Sequence, residues 1–334
     1  MRILVCGGAG FIGSNFIHQM LAKHKDVKIV NYDKLTYAGN LENHKQISGD
    51  PRYTFVNGDI CDAQKLLPLV RESDFVINFA AETHNDKSVH AGSRDFVMAN
   101  VVGVQTILDC VRTSPNIKKF LNVSTDEVYG SLDLNDGRAF DEKWPLEPNI
   151  PYAAAKAGGD LLCRSFFHTF KIPVVLTHCT NNYGPFQYPE KLIPFSILRI
   201  LENKPITLYG DGKHVRDWIF VLDHCDGLEL ALLNGEPGEV YNFGGRAEKS
   251  NLEIAKLILK FTGKPDNMIE FISDRPGHDR RYAMNTAKSE KELGWKIRHR
   301  FEEALPKTIE WYQKNLQWAE NIKKSGAKFN PHIK

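Results

Sequence analysis

The sequence predicts an α/β protein, a doubly wound parallel sheet joined to a smaller, loop-rich α/β lobe. Three observations carry this expectation. Short, β-branched apolar runs alternate with longer amphipathic segments as far as about residue 180. The first run leads directly into a glycine-rich turn, "GGAGFIGS". Beyond residue 180 the alternation gives way to polar and aromatic loops. Strands that are apolar at nearly every position need cover on both faces, which a parallel sheet flanked by helices provides.

In chain order the expected strands are "RILVC", "KIVNYD", "YTFVN", "FVINFA", "KKFLNV" and "PVVLTH", each separated from the next by a helical stretch. After them come "NNYGPFQYPEKLIP", a helix-like "FSILRILEN" and the polar stretch "YGDGKHVRDW", read as a loop. Another helix, a strand in "EVYNFGG" and two further helical segments ending near Asn315 complete the series. The expected division is a sheet domain over 1–180 with a returning part at about 215–245, a ligand-receiving lobe from 181–214 and 246–320, and a loose tail over 321–334. Two helical segments, "DFVMANVVGVQTILDCVRTS" and "PYAAAKAGGDLLCRSFFHTF", carry more apolar surface than one buried stripe requires. Paired across a two-fold axis they would form a four-helix homodimer interface; otherwise both are simply well-buried helices.

Composition narrows the functional classes. With 42% hydrophobic residues in 334, the chain can bury a large core in one domain or two fused ones. Its 43 basic and 41 acidic residues are interspersed, so no charged block suggests a nucleic-acid groove or a membrane-binding face. The start, "MRILVCGGAGFIG", is too short and too glycine-rich for a signal segment. No run approaches the ~18 apolar residues of a spanning helix, and a cytoplasmic location is expected. Cys6, Cys61, Cys110, Cys163, Cys179 and Cys225 are scattered singly with no CxxC pair, as suits reduced, mostly buried apolar residues. The twelve histidines show no pattern read as a ligand set, so no metal is expected.

Gly7, Gly10 and Gly13 lie between the first strand and the helix that follows it. Such a turn lets backbone N–H groups at a helix N-terminus approach a pyrophosphate. Asp33 ends the second strand, twenty residues past Gly13. Its carboxylate would accept from ribose hydroxyls and repel a 2′-phosphate, which favours NAD over NADP. "GDI" after the third strand, Gly58 to Ile60, falls where the adenine would lie, and "FAAE", Phe79 to Glu82, follows the fourth strand.

Tyr152 and Lys156 are spaced i, i+4 and project from one helix face. An ammonium beside a phenol lowers its pKa and makes it a usable base, which suits alcohol oxidation. Alone, the pair would read better as an exposed helix surface. Thr125 changes the balance, because its hydroxyl at the end of "KKFLNV" can hold a substrate oxygen. Asp126 and Glu127 follow it, two adjacent carboxylates at the sheet's catalytic edge. Mutual repulsion and unequal burial can push such a pair apart in pKa, giving one acid and one base.

At this point the chain resembles the extended short-chain dehydrogenases/reductases, and among them the nucleotide-sugar 4,6-dehydratases. Seven stretches carry the resemblance in order: "GGAGFIGSNF", "DKLTYAGNLEN", "STDEVYGS", "PYAAAKAGGD", "NNYGPFQYPEKLIP", "YGDGKHVRDWIFVLDHC" and "RPGHDRRYAMN". The resemblance implies a Rossmann domain and an NAD-dependent lyase of deoxysugar (rhamnose-type) biosynthesis that acts on a nucleotide-diphosphate hexose, dTDP-glucose being the implied substrate. Hexose C4 would be oxidised, water eliminated across C5 and C6, and hydride returned to C6. In that scheme Tyr152, with Lys156 and Thr125, acts at C4. Glu127 takes the C5 proton and Asp126 protonates the C6 oxygen.

For the cofactor the resemblance implies Gly7, Gly10, Phe11, Ile12, Gly13, Asp33, Lys34, Thr36, Asp59, Ile60, Ala80, Ala81, Asn100, Tyr152, Lys156 and Asn182. For the substrate it implies Thr83, Thr125, Asn181, Glu190, Lys191, Leu208, Tyr209, Arg216, Asn251 and His278, with Arg216 and Lys191 as pyrophosphate partners. The chain departs from the family's usual residues at Thr83, Asn85, Lys87, His178 and Thr180, and Asn85 bears on which hexose is accepted. The other readings are a UDP-sugar dehydratase, a UDP-sugar 4-epimerase or decarboxylase, and an NAD-binding sensor without chemistry. Asp126 argues against the epimerase, and the intact set from Thr125 to Lys156 argues against the sensor.

Overall fold

The computed structural model describes residues 1–83, 88, 92–274 and 277–324. All six expected strands form: β1 (Arg2–Cys6), β2 (Lys28–Asp33), β3 (Tyr53–Asn57), β4 (Phe75–Asn78), β5 (Lys119–Val123) and β6 (Val174–Cys179). With β10 (Val240–Phe243) they make one seven-stranded sheet in the order β10-β6-β5-β4-β1-β2-β3, every neighbouring pair parallel. β1 shows why the strands read as continuous apolar runs. Ile3 and Val5 enter one core, shared with α1 (Phe11–Lys23) and α6 (Val221–Asn234). Leu4 and Cys6 enter the core on the opposite face, with α2 (Ala63–Arg71), α3 (residues 94–112) and α4 (Pro151–Phe170). Each fully buried aliphatic side chain contributes about 1.5–3 kcal/mol, so both faces hold the central strand in place. The chain reverses direction across the sheet between β1 and β4, and a crevice opens beyond the strands' carboxyl ends at that point.

The middle of α3, Met98–Gly103, is a π-helical stretch between Arg94–Val97 and Val104–Arg112. α4 packs against it closely enough that a Cβ on Gly159 would lie 2.4 Å from the Asn100 carbonyl. Only glycine fits there, and the close packing holds α4 rigidly over the end of β5.

The second lobe combines two small sheets. One contains β7 (Asn181–Tyr183), β9 (Val215–Phe220) and β11 (Glu248–Ser250); the other pairs β8 (Ile206–Tyr209) with β12 (Ile269–Ile272). Their core is closed by α5 (Leu192–Leu201), α7 (Asn251–Thr262) and α9 (Phe301–Lys314), through Ile193, Ile258 and Leu305 among others. Two sequence expectations fail here. The stretch read as a polar loop contains the start of β9, because Arg216 and Asp217 are buried and bonded within the protein rather than facing water. After β10 the described residues form four helices rather than two, the others being α8 (Ala287–Leu293) and α10 (Leu316–Lys324). α10 buries Trp318 and Ile322, so packed chain runs past Asn321, where the tail was expected to begin. Among the described residues no helix is long and apolar enough to cross a membrane.

Asp217 gives this lobe a pH dependence. Its Oδ1 accepts the Ala247 N–H at 2.8 Å, yet complete burial raises the carboxyl from 3.8 to about 6. Between those values the folded protein keeps a proton that the unfolded chain has released, so stability falls as pH rises through the window. The loss is on the order of 3 kcal/mol at most. Asp217→Asn should flatten this slope in urea unfolding measured on either side of the window. An unchanged slope would place the titration elsewhere.

Candidate active site

A cleft of about 410 Å³ runs from the glycine turn to the second lobe, in the size range of small-molecule sites. At the sheet end, Gly7 has φ +76°, and a Cβ there would lie 2.3 Å from the Ala80 backbone nitrogen. The turn is therefore pressed against the end of β4 and exposes backbone to the cleft. Gly10 caps α1 without a side-chain hydrogen bond, leaving that helix's N–H groups for an anion. Asp33 is fixed by the Ala9 and Leu35 N–H groups, at 2.9 and 2.7 Å. These features fit a dinucleotide: a bare helix N-terminus for its pyrophosphate and an immobilised carboxylate at the end of β2.

Gly7, Gly10, Phe11, Ile12, Gly13, Ala81 and Asn182 line the cleft directly. Asp33, Lys34, Thr36, Asp59, Ile60, Ala80 and Asn100 are not among its lining residues. Lys34 pairs with Asp59 at 2.7 Å, and the Asn100 amide clasps the backbone N–H and carbonyl of Glu82. The glycine turn is braced from behind by Asn43, whose amide donates to the Ala9 carbonyl at 3.1 Å. Asn43 in turn accepts from the Trp318 indole of α10 at 2.8 Å.

The catalytic candidates meet at the centre. α4 starts with Pro151 in its first turn and continues through alanines, a strong helix signal, and ends at Lys171 in the left-handed region. Tyr152 and Lys156 lie on its buried face. Thr125 caps a one-turn 3₁₀ helix, Asp126–Tyr129, by accepting the Glu127 N–H at 3.3 Å, and so both carboxylates sit in a turn rather than on the strand. Thr125 and Tyr152 line the same cleft.

One expectation needs correcting. Lys156 donates to the Val123 carbonyl at 2.7 Å, and burial lowers its pKa. The phenol of Tyr152 is raised well above its usual value, first by burial and then by the charges of Glu127 and Asp126. In the protein alone, the ammonium does not outweigh these effects.

Asp126 is 2% exposed, and burial followed by the Glu127 charge raises its carboxyl far above the normal range. Its Oδ1 accepts from the Thr125 hydroxyl at 3.2 Å, while the buried Oδ2 has no hydrogen-bond partner. The acid form of Asp126 is thus favoured in the cleft, beside the half-buried Glu127. Buried polar atoms of Thr180, Asn181, Gln187 and Trp218, all cleft residues, are likewise unpartnered. Unsatisfied polar groups on this scale suit a site built around a polar ligand.

The substrate candidates Thr83, Asn181, Glu190, Lys191, Leu208, Tyr209, Arg216, Asn251 and His278 all line the same cleft. Lys191 is drawn to the Thr83 carbonyl at 3.2 Å and to Glu190 at 3.4 Å. Arg216 lies 4.4 Å from the ring centre of Tyr282 and donates to the Val215 and Asp279 carbonyls. Sequence reasoning missed Tyr37, whose hydroxyl reaches Thr83 at 3.2 Å and Glu190 at 3.3 Å. The available signal was an aromatic in the loop after Asp33. His178, a departure from the family pattern, contacts Tyr129 at 2.6 Å and Asp160 at 3.1 Å, behind the site. Asn85 and Lys87 lie outside the described residues.

A glycine-turn cleft at the sheet's switch point, with a tyrosine-lysine helix face and a buried carboxyl, defines a dinucleotide-dependent enzyme of the short-chain dehydrogenase/reductase class. Residues 4–308 match the family described as GDP-mannose 4,6 dehydratase. The chain is 47% identical over 323 residues to a dTDP-glucose 4,6-dehydratase of Actinoplanes sp., covering 95% of this chain and 99% of that one. It is similar to the crystal structure of the Bacillus anthracis str. Ames dTDP-glucose 4,6-dehydratase in complex with NAD, at 46% identity and TM-score 0.90. That match covers 96% of this chain and 99% of the other. DesIV, a dTDP-glucose 4,6-dehydratase from Streptomyces venezuelae with NAD bound, matches at 44% identity and TM-score 0.92, over 96% of this chain and all of its own. The chain belongs to this family of nucleotide-sugar 4,6-dehydratases.

Proposed function

We propose that the protein converts dTDP-glucose into dTDP-4-keto-6-deoxyglucose and water, with NAD as a recycled cofactor. The observation that carries this reading is Asp126: a carboxyl whose acid form burial favours, its Oδ2 unpartnered, next to Glu127 and in one cleft with Thr125 and Tyr152. An oxidation alone needs no such acid. The named relatives, dTDP-glucose 4,6-dehydratases of which two are crystallised with NAD, support the choice of substrate and cofactor.

In this reading the domain over 1–180, with its return at about 215–245, holds NAD through the glycine turn and Asp33. The second lobe holds the nucleotide diphosphate near Arg216. Bound NAD supplies a hydride acceptor for C4, a hydride donor for C6 and, when oxidised, a positive charge. Thr125 orients the C4 hydroxyl and Tyr152 removes its proton, giving the ketone that acidifies C5. Glu127 then takes the C5 proton while Asp126 gives its own to the departing C6 oxygen. The acid form that burial favours is the one this step consumes.

The test is incubation with dTDP-glucose and, separately, UDP-glucose, followed by mass spectrometry. Loss of water from the dTDP sugar is expected. Loss from neither sugar would overturn the reading, and faster loss from the UDP sugar would overturn the nucleotide preference.

A homodimer and a cytoplasmic location belong to the same proposal. Val97, Met98, Leu161 and Phe170 are exposed apolar residues on α3 and α4, and the six cysteines are free thiols, as suits a reducing compartment. Leu161, 55% exposed, stands on the outer face of α4. Leu161→Glu should convert the protein to monomers in light scattering at concentrations where the wild type is dimeric. A monomeric wild type would remove the interface.

A further inference from the structure

Behind the cleft lies a buried polar chain that the reaction scheme leaves unused. Asp160 stands on α4 one turn past Lys156 and two past Tyr152, on the same helix face. Its Oδ2 meets Nε2 of His178, on β6, at 3.1 Å, and both side chains are buried. His178 Nδ1 lies 2.6 Å from the Tyr129 hydroxyl, and Asp160 Oδ2 accepts from the Ser124 hydroxyl at 2.6 Å.

Those two outer contacts bracket the catalytic turn. Ser124 immediately precedes Thr125, Asp126 and Glu127, and Tyr129 closes the 3₁₀ turn in which both carboxylates sit. We propose that His178 and Asp160 are positioning residues for the elimination, a buried pair that ties both ends of the turn bearing Asp126 and Glu127 to the helix bearing Tyr152. The inference rests on the reaction assigned above, in which those two carboxylates and that phenol act on one hexose.

Counting protons shows what the pair holds. The Asn242 amide nitrogen donates to the Phe140 carbonyl at 3.2 Å, which leaves its oxygen facing the Tyr129 hydroxyl at 3.0 Å. A phenol has one proton to give, and that oxygen takes it. His178 Nδ1 must then donate to the phenol oxygen. Its Nε2 faces a carboxyl oxygen, so a second proton lies between them; otherwise a lone pair would meet Oδ2. Asp160 also accepts from the Asn122 amide, at 3.3 Å, and three donors onto one carboxyl suit its ionised form. The pair is therefore an imidazolium and a carboxylate, neutral as a whole. Removing one partner would leave the other charge buried and alone, and the turn would lose an anchor.

Such a pair could serve the fold alone, and the experiment separates the two roles. Single-turnover measurements on the full-length protein with its cofactor and dTDP-glucose follow formation of reduced nicotinamide and loss of water separately. Tyr129→Phe takes one oxygen out of the chain and keeps the ring's stacking on Phe140. Elimination should slow by roughly 10²-fold, the cost of about a 1 Å misplacement of a catalytic group, and C4 oxidation by under about tenfold. His178→Gln should show the same bias. Equal slowing of both steps in Tyr129→Phe, as a loosened fold would give, would overturn the proposal.

The pair has a spectroscopic signature of its own. Nitrogen NMR of protein with isotopically labelled histidine should show His178 with both ring nitrogens protonated at neutral pH. In Asp160→Asn the new amide can donate to Nε2, so His178 should keep only its Nδ1 proton. A single ring N–H on His178 in the wild type would overturn the pair. These signals are read without substrate, whereas a wild type that released no water would overturn the assigned reaction.

Discussion

Asp126→Asn should slow release of water by about 10²–10⁴-fold, the usual contribution of a general acid, while reduced nicotinamide still forms on the enzyme. The amide keeps the shape and the Thr125 contact but has no acidic proton for the C6 oxygen. A substrate with fluoride at C6 needs little protonation to lose its leaving group, so this analogue should be turned over nearly normally by Asp126→Asn. It should not be rescued in Glu127→Gln, where the C5 proton still has to be removed. Equal impairment of the analogue and the natural sugar in Asp126→Asn would mean that the acid is another residue. Because burial and the Glu127 charge raise the Asp126 carboxyl, the wild type should keep this acid form at pH values where an exposed aspartate is fully ionised.

Tyr152→Phe should remove the earlier step. Without the phenol, no group takes the C4 proton, and single-turnover absorbance should show essentially no reduced nicotinamide, a loss of at least about 10²-fold. The fold should survive, because the ring keeps its buried place and its edge-on contact with Phe96, at 6.4 Å between centres. Nucleotide affinity measured by titration should stay close to wild type. Formation of reduced nicotinamide at the normal rate would transfer the base role to another residue.

The Rossmann half was legible because its signals are local. Six apolar runs, the glycine turn and Asp33 each announce themselves within a few residues, and the i, i+4 spacing of Tyr152 and Lys156 survives as one helix face. The sequence also marked Asp126 and Glu127, but only burial shows that the acid form is favoured at Asp126. That property depends on how much protein covers each carboxyl. Lys156 was misjudged for the same reason: spacing places its nitrogen near Tyr152, whereas the Val123 carbonyl, brought in by the sheet, captures it. β9 was hidden because Arg216 and Asp217 find partners far along the chain, Asp279 and Ala247, and so can be buried in a strand that reads as solvated. Tyr37 lines the cleft itself, where it meets Thr83 and Glu190 from other segments.

The bond from Trp318 to Asn43 links two distant parts of the chain in time as well as in space. The glycine turn is translated well before the indole that braces its support. A nascent chain can lay down β1 and α1 early, yet it cannot finish bracing the cofactor cradle until α10 has been released. Proteins cut short before Leu316 should therefore fold their sheet and lose cofactor readily, a defect that fluorescence of bound reduced nicotinamide would report.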